Sequence, residues 1–207
     1  MPVLDPIPQS LTVQSAIETR RSIRQYHPDM PKGHLLEILR LATLAPSAFN
    51  AQPWRFAVVE NAEVKKQLQE ASYNQSQITS APYTIVVYGD AEDTLKTAIE
   101  TSHPHFGDEG KVRQVQTVER SLSKLSVQER ARWADNQTNI LLGVLMVAAR
   151  GLGYDTVPML GFDQSKVKKL LDLPEHVIIT ALLPVGRAAE LGRPHHRHSL
   201  ERITRFI

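Results

Sequence analysis

The chain has 207 residues, 24 basic and 22 acidic side chains for a formal charge of +2, and no cysteine. That length suffices for one large core or two small ones, and the missing thiols exclude a disulfide framework, a thiolate nucleophile and a zinc–thiolate centre. The basic residues gather at 20–24 and again at 187–205, which points to one anionic ligand and not to the broad basic stripe of a nucleic-acid binder.

The opening "MPVLDPIPQS" lacks a basic start and a long apolar core, so it does not read as a signal peptide. Residues 11–19 read as a short helix leading into "RRSIR". Pro31 suits the first turn of a second helix, in which Leu35, Ile38, Leu39 and Ala42 recur at helical spacing. Pro46 ends it, because proline disfavours helical backbone in the residue before it. "RFAVVE" at 55–60 reads as a strand. Asn61 caps a third helix with Val64, Leu68 and Ala71 on one face. "YTIVVYG" at 83–89 is a second strand, rich in β-branched residues.

"HPHFGDEG" at 103–110 offers histidines and carboxylates, but without supporting ligands at helical spacing it reads as an exposed loop and not a metal site. Residues 111–132 read as a polar, partly exposed helix. A far more apolar helix follows over 134–150, stopped by Gly151 and Gly153. Its apolar run "ILLGVLMVAA" falls well short of the ~20 residues a membrane span needs. Apolar on nearly every side, this helix must be buried all round, which in a chain of this size calls for a second subunit over one face. "GLGYDT" follows a helix and lacks a third glycine, so it is not a dinucleotide fingerprint. Asp163 caps another helix, "VIITALLPVG" at 177–186 reads as a central strand buried on both faces, and "PHHRH" reads as a polar tail. No repeat or linker interrupts the order. It predicts one α+β domain over 1–207, its sheet of four or five strands wrapped by helices.

Two stretches carry chemistry. "RRSIR" puts Arg20, Arg21, Ser22 and Arg24 within five residues. Guanidinium forks match phosphate oxygens two at a time, and a serine hydroxyl adds a short donor; alone, the stretch reads better as a solvated charged helix end. "APSAFNAQPW" at 45–54 holds Asn50 and Gln52, each with a donor and an acceptor. Such a pair can read the alternating N–H and C=O groups of a flavin pyrimidine. Small Ala45, Ser47 and Ala48 let backbone approach a flat ring. The alternative is a polar turn with Trp54 in the core.

Together, "ETRRSIRQY" and "LATLAPSAFNAQPWRF" strongly resemble the FMN-dependent nitroreductase family. The resemblance continues through "YNQSQITSAPYTIVVY", "GLGYDTVPMLGFD" and the basic C-terminal segment, and is weakest over 90–126. It implies a mixed, mostly antiparallel sheet and an intertwined homodimer with FMN at the subunit interface. NAD(P)H is then the electron donor, and a nitroaromatic, quinone or similar small electron-poor molecule the acceptor, in ping-pong turnover. Arg20, Arg21, Ser22 and Arg24 are expected at the FMN phosphate and the pyrimidine side of the ring. Pro46, Ser47, Ala48, Asn50 and Gln52 are expected against the same flavin from the partner subunit. Asn74 and Gln77 match positions near the ribityl chain and the N1/O2 edge. Pro158, Met159, Leu160 and Gly161 match a stretch whose backbone amides face N5 and O4. His195 and Arg197, with Arg193 as a rival, match a second phosphate contact.

Some relatives carry lysine where this chain has Gln77, which leaves Arg24 to face the N1 edge, and many carry glutamate where it has Leu160. No side chain is assigned to catalysis and none to a metal, since the flavin carries the redox chemistry. The same fold in relatives also fragments flavin, removes halogens reductively or reduces small aldehydes, and flavin storage without turnover is a further alternative. The 101–132 segment is expected to select the acceptor. A cytoplasmic protein is expected, with neither membrane nor nucleic acid as partner.

Overall fold

The computed structural model describes residues 10–207; the stretch read against a signal peptide lies, but for Ser10, outside the described residues. Local chemistry starts most helices. The Thr12 hydroxyl accepts from the Ser15 amide at 3.1 Å to open α1 (Val13–Thr19). Pro31 is the cap residue of α2 (Lys32–Ala42), one position earlier than expected. After β1 (Trp54–Val59), Asn61 Oδ1 accepts from the Glu63 and Val64 amides and opens α3 (Ala62–Glu70). A short α4 (Gln77–Ser80) precedes β2 (Tyr83–Gly89), and Asp90 caps α5 (Ala91–Thr97).

Two expectations for the next segment are corrected. Residues 103–110 are not a loop: His103 Nδ1 accepts from the His105 amide to cap a 3-10 turn, Pro104–Phe106, which runs into α6 (Gly107–Leu122). The polar and apolar helices also do not divide near 133. The break falls at 123–126, where Ser126 and Glu129 form a reciprocal capping box and start α7 (Val127–Gly151). The chain then passes through β3 (Asp155–Thr156), α8 (Gln164–Leu170) capped by Asp163, β4 (Ile178–Gly186) and α9 (Leu200–Ile203). No described helix is long and apolar enough to cross a membrane.

The four strands form one sheet in the order β1-β2-β4-β3, every neighbouring pair antiparallel; the isolated bridge Ser22–Thr156 is parallel. β4 is central and buried, as its apolar run requires. Its register against β2 skips Thr180, since Val87 faces Ala181 and Tyr88 faces Ile179. The bulge reverses the in–out alternation. Ala181, Leu183 and Val185 therefore pack with α2 and α7, whereas Ile179 and Leu182 join the opposite core with Leu68, Ile78 and Val167.

Pro184 is tolerated in this central strand because of where its missing donor points. The Pro184 carbonyl accepts from the Val157 amide, so the absent N–H also faces the short outer strand and not β2. The ladder from β3 is interrupted there and resumes at the Met159–Leu182 bridge.

α7 is buried along one side by Ala134, Thr138, Leu141, Leu145 and Ala149. The expectation of burial all round does not hold within one chain: Ile140 is 45% exposed, and Asn136, Asn139 and Gly143 lie open on the same outward face.

Candidate functional site

The two basic clusters, more than 160 residues apart in sequence, fold into one hollow. The segment after α1 pairs with the segment after β4 through the Tyr26–Ala188 bridge, His27 N to Arg187 O, and Ala189 N to Gln25 O. Glu190 Oε1 accepts from the Arg24 amide at 2.6 Å. The resulting hollow, about 190 Å³, is lined by Arg20, Arg21, Ser22 and Arg24 from one side and Arg193, Pro194, His195 and Arg197 from the other. Arg193 and Arg197, posed as rivals, both line it.

Among the described residues none of these five arginines forms an ion pair with a carboxylate, although six other arginines do. Burial, and after it the neighbouring charges of Arg197 and Arg21, lower the Arg20 pKa; the guanidinium stays charged all the same. Crowded cations with no ion-paired carboxylate, and only the charge of Asp155 acting on Arg20 and Arg21 from nearby, suit an anion with several oxygens, such as a phosphate monoester.

Gly192 sets the fit. A Cβ there would lie 2.3 Å from Arg21 Cβ and 2.8 Å from its Cγ. Sequence reasoning passed over this residue, and its only visible sign was a glycine between two basic stretches.

The same edge of the sheet carries two further expected groups. Residues 155–159 run along β4, and Gly161 O accepts from Gln75 Nε2 at 2.8 Å, which ties this stretch to the 73–77 turn. The amide expectation is corrected here. Pro158 has no N–H, and the Met159 amide is donated to Leu182 O at 2.8 Å, so only Leu160 and Gly161 offer free amides; neither donates to another described group. The Leu160 side chain is 77% exposed. Asn74 is open, but Gln77 is buried and its Nε2 donates one hydrogen to Gln75 Oε1 at 3.1 Å, which leaves a second N–H and the carbonyl oxygen for a ligand. Gln75, not singled out from the sequence, is the residue that joins the two stretches.

The loop holding Pro46, Ser47, Ala48, Asn50 and Gln52 lies elsewhere. It is pinned to the 101–137 region: Asn50 Nδ2 donates to Thr101 O, Gln114 Nε2 to Phe49 O, and the Ala48 amide to Gln137 Oε1, each at 2.8 Å. Ser47 Oγ accepts from the Gln52 amide. One Asn50 N–H is thus used internally, and its second N–H and carbonyl oxygen remain. Phe49 and Asn50, with His103, Phe106, Gln114 and Thr117, line a largely apolar hollow of about 550 Å³. Left-handed backbone concentrates in these stretches: Phe49, Asn50, Gln52, Tyr73 and Asn74 all have φ between 47° and 59°, and Asp172 is the one other described non-glycine residue with positive φ. Such strain persists where the surroundings over-determine it, typically at ligand-holding sites.

Topology separates the two halves within one chain. The 46–52 loop feeds the Trp54 end of β1, an edge strand level with Ile178, whereas Ser22 bridges Thr156 on the opposite edge, level with Val185. Three strand spacings of about 4.8 Å and seven residues at about 3.3 Å put these corners roughly 27 Å apart. That is too wide for one mononucleotide to touch both.

Comparison with known proteins gives consistent matches along the chain. Residues 17–187 match the Nitroreductase family. A Thermus thermophilus protein named NADH dehydrogenase is 42% identical over 204 residues, covering 98% of this chain and 96% of that one. An oxygen-insensitive NADPH nitroreductase of Helicobacter pylori is 28% identical, covering 91% and 93%. A protein of Exiguobacterium sibiricum, solved in complex with FMN, superimposes with a TM-score of 0.86 at 27% identity, covering 98% of this chain and all of its own.

Proposed function

The chain belongs to the nitroreductase family, and from that premise we propose that it is an FMN-dependent NAD(P)H oxidoreductase that reduces nitroaromatics, quinones or similarly electron-poor molecules. It works as a homodimer of single-domain chains spanning 1–207, in the cytoplasm where its electron donor is found. The observation that carries this reading is the hollow of five arginines without a carboxylate partner. Its donor set fits the phosphate of FMN, and the strained, amide-bearing loop fits the ring.

Bound in this cradle, FMN would supply the hydride chemistry between NAD(P)H and the acceptor. The chain's own residues bind and orient. Arg20, Arg21 and Ser22 hold the phosphate from one side, and Arg193, His195 and Arg197 from the other, through charge-assisted hydrogen bonds. Arg24 places a fixed positive charge at the pyrimidine edge, where the reduced ring carries its negative charge. Asn74 and the Gln77 carbonyl oxygen face the ribityl chain. The free amides of Leu160 and Gly161 face the redox edge of the ring. Leu160, an exposed apolar side chain where many relatives carry glutamate, keeps a carboxylate away from the incoming acceptor.

The partner's copy of the 46–52 loop closes the cradle. Pro46, Ser47 and Ala48 present small groups to the ring face, while the Asn50 and Gln52 carboxamides each offer a carbonyl oxygen and an N–H. One face stays open for donor and acceptor in turn, which makes the kinetics ping-pong. Purified protein is expected to be yellow. Arg20→Ala removes one charged donor, worth about 1.5–3 kcal/mol, and is expected to lose colour and NAD(P)H oxidation together, as absorbance and turnover will show. Protein that stays colourless after reconstitution with FMN would refute the assignment.

A further inference from the structure

His195 stands apart from the other groups of the arginine hollow because it can change charge near neutral pH. Its Nδ1 lies 3.2 Å from Arg197 Nη2. A guanidinium only donates, so Nδ1 is the acceptor and carries no proton, and the rest of the ring donates to the Ile17 carbonyl of α1. The imidazole is therefore neutral and in one tautomer.

The charged groups that face it are Arg20, Arg21 and Arg24 from the segment after α1, and Arg193 and Arg197 from its own segment. The carboxylates of the adjoining elements each have a partner other than His195, although the Asp155 charge also acts on Arg20 and Arg21. Glu190 accepts from the Arg24 amide, Asp155 pairs with Arg150, and Glu18 accepts from Gln14.

We infer that His195 is a proton-accepting arm of this cradle: a phosphate monoester draws Arg197 away from Nδ1, Nδ1 takes a proton from solvent, and the imidazolium becomes a further donor to the anion. Cofactor binding then takes up a proton and weakens as pH rises. The inference rests on the reading that the hollow holds the FMN phosphate, and adds to it a pH control seated in one residue.

The electrostatics agree in sign. Desolvation first, and then the charges of Arg21, Arg197 and Arg20, lower the imidazole pKa from its ordinary value, against the Ile17 carbonyl, which raises it. An anion among these cations opposes their field and raises the pKa. A group whose pKa is higher in the complex than in the free protein strengthens binding fully below the free value. That contribution is lost as pH rises through the value in the complex. Because the free value is lowered, the window opens below the ordinary imidazole value of ~6.5 and closes at the value in the complex. The phosphate's own second ionisation near ~6 works the other way, since the dianion forms as pH rises; a variant without the imidazole isolates it.

The test titrates flavin-stripped protein with FMN, following flavin fluorescence from about pH 5.5 to about pH 8.5, around the imidazole range. Wild type, His195→Gln and His195→Lys are compared, with riboflavin as the ligand lacking phosphate. The ratio of wild-type to His195→Gln affinity for FMN is expected to fall as pH rises, about tenfold for each unit by which binding raises the imidazole pKa. Calorimetry in buffers of different ionisation heat is expected to show extra proton uptake in wild type only, and with FMN but not riboflavin. His195→Lys is expected to bind FMN with no such uptake. A ratio that stays constant with pH, or equal proton uptake in His195→Gln, would overturn the inference while leaving the FMN site intact. Failure of wild type to bind FMN at any pH would instead overturn the reading beneath it.

Discussion

Arg21 and Gly192 meet where the two basic segments cross. Arg21 Nη1 donates to the carbonyls of Glu18 and Arg20 at 2.8 and 2.9 Å, which fixes its stem along the chain that Gly192 passes over. A methyl group at Gly192 would overlap that stem and reach Ile23 Cδ1 at 3.0 Å. Gly192→Ala must therefore push the 193–197 arm away from Arg20 and Arg21. Loss of one charge-assisted contact at about 1.5–3 kcal/mol corresponds to FMN binding at least tenfold weaker, measurable by fluorescence titration; unchanged affinity would show that the arm does not hold the phosphate. At this scale the sequence was informative about residue types and less so about their free groups. "RRSIR" announced a cluster of cations because charge is written in side chains. That the Met159 amide is bonded to Leu182, or that Gln77 is buried against Gln75, depends on the course of the 155–161 segment along β4, which no local spacing reveals.

The same contrast holds for whole elements. β1, β2 and β4 were legible because each is a continuous apolar or β-branched run, and Asn61 and Asp163 were legible as caps because their oxygens satisfy local amides. β3 was not: two residues carry no periodicity, and its length is set by Pro184 on a strand 28 positions later. The break before α7 was missed because the polar 111–132 stretch masks the Ser126–Glu129 box. α7 crosses the sheet so closely at the end of β2 that a Cβ on Gly89 would lie 2.8 Å from the Ala134 carbonyl carbon and 2.9 Å from Thr138 Oγ1. Gly89→Ala is accordingly expected to cost about 1–3 kcal/mol in urea denaturation, the usual penalty of overpacking. Gln137, one residue before Thr138, holds the Ala48 amide, so the displaced helix should also weaken FMN binding. Full stability in this variant would contradict the close crossing.

For the whole molecule, the decisive feature is that the arginine hollow and the 46–52 loop occupy opposite corners of one sheet. In the proposed homodimer a two-fold partner would convert that separation into contact, because each corner of one copy can meet the complementary corner of the other. The outward surface suits such an arrangement: Val13 and Ile17 on α1, Leu36 on α2, Leu44 just beyond it, and Ile140 on α7 are all exposed, as are Phe206 and Ile207 at the end of the chain.

A mixed dimer tests this most directly. One protomer carries Arg20→Ala and the other carries Asn50→Ala with Gln52→Ala; each variant alone forms a folded dimer that loses flavin. If every flavin is held by the arginines of one protomer and the loop of its partner, both defects fall in one site of the mixed dimer and the other site is wild type, so half the flavin content and activity return. If each chain holds its own flavin, both sites stay defective and nothing returns.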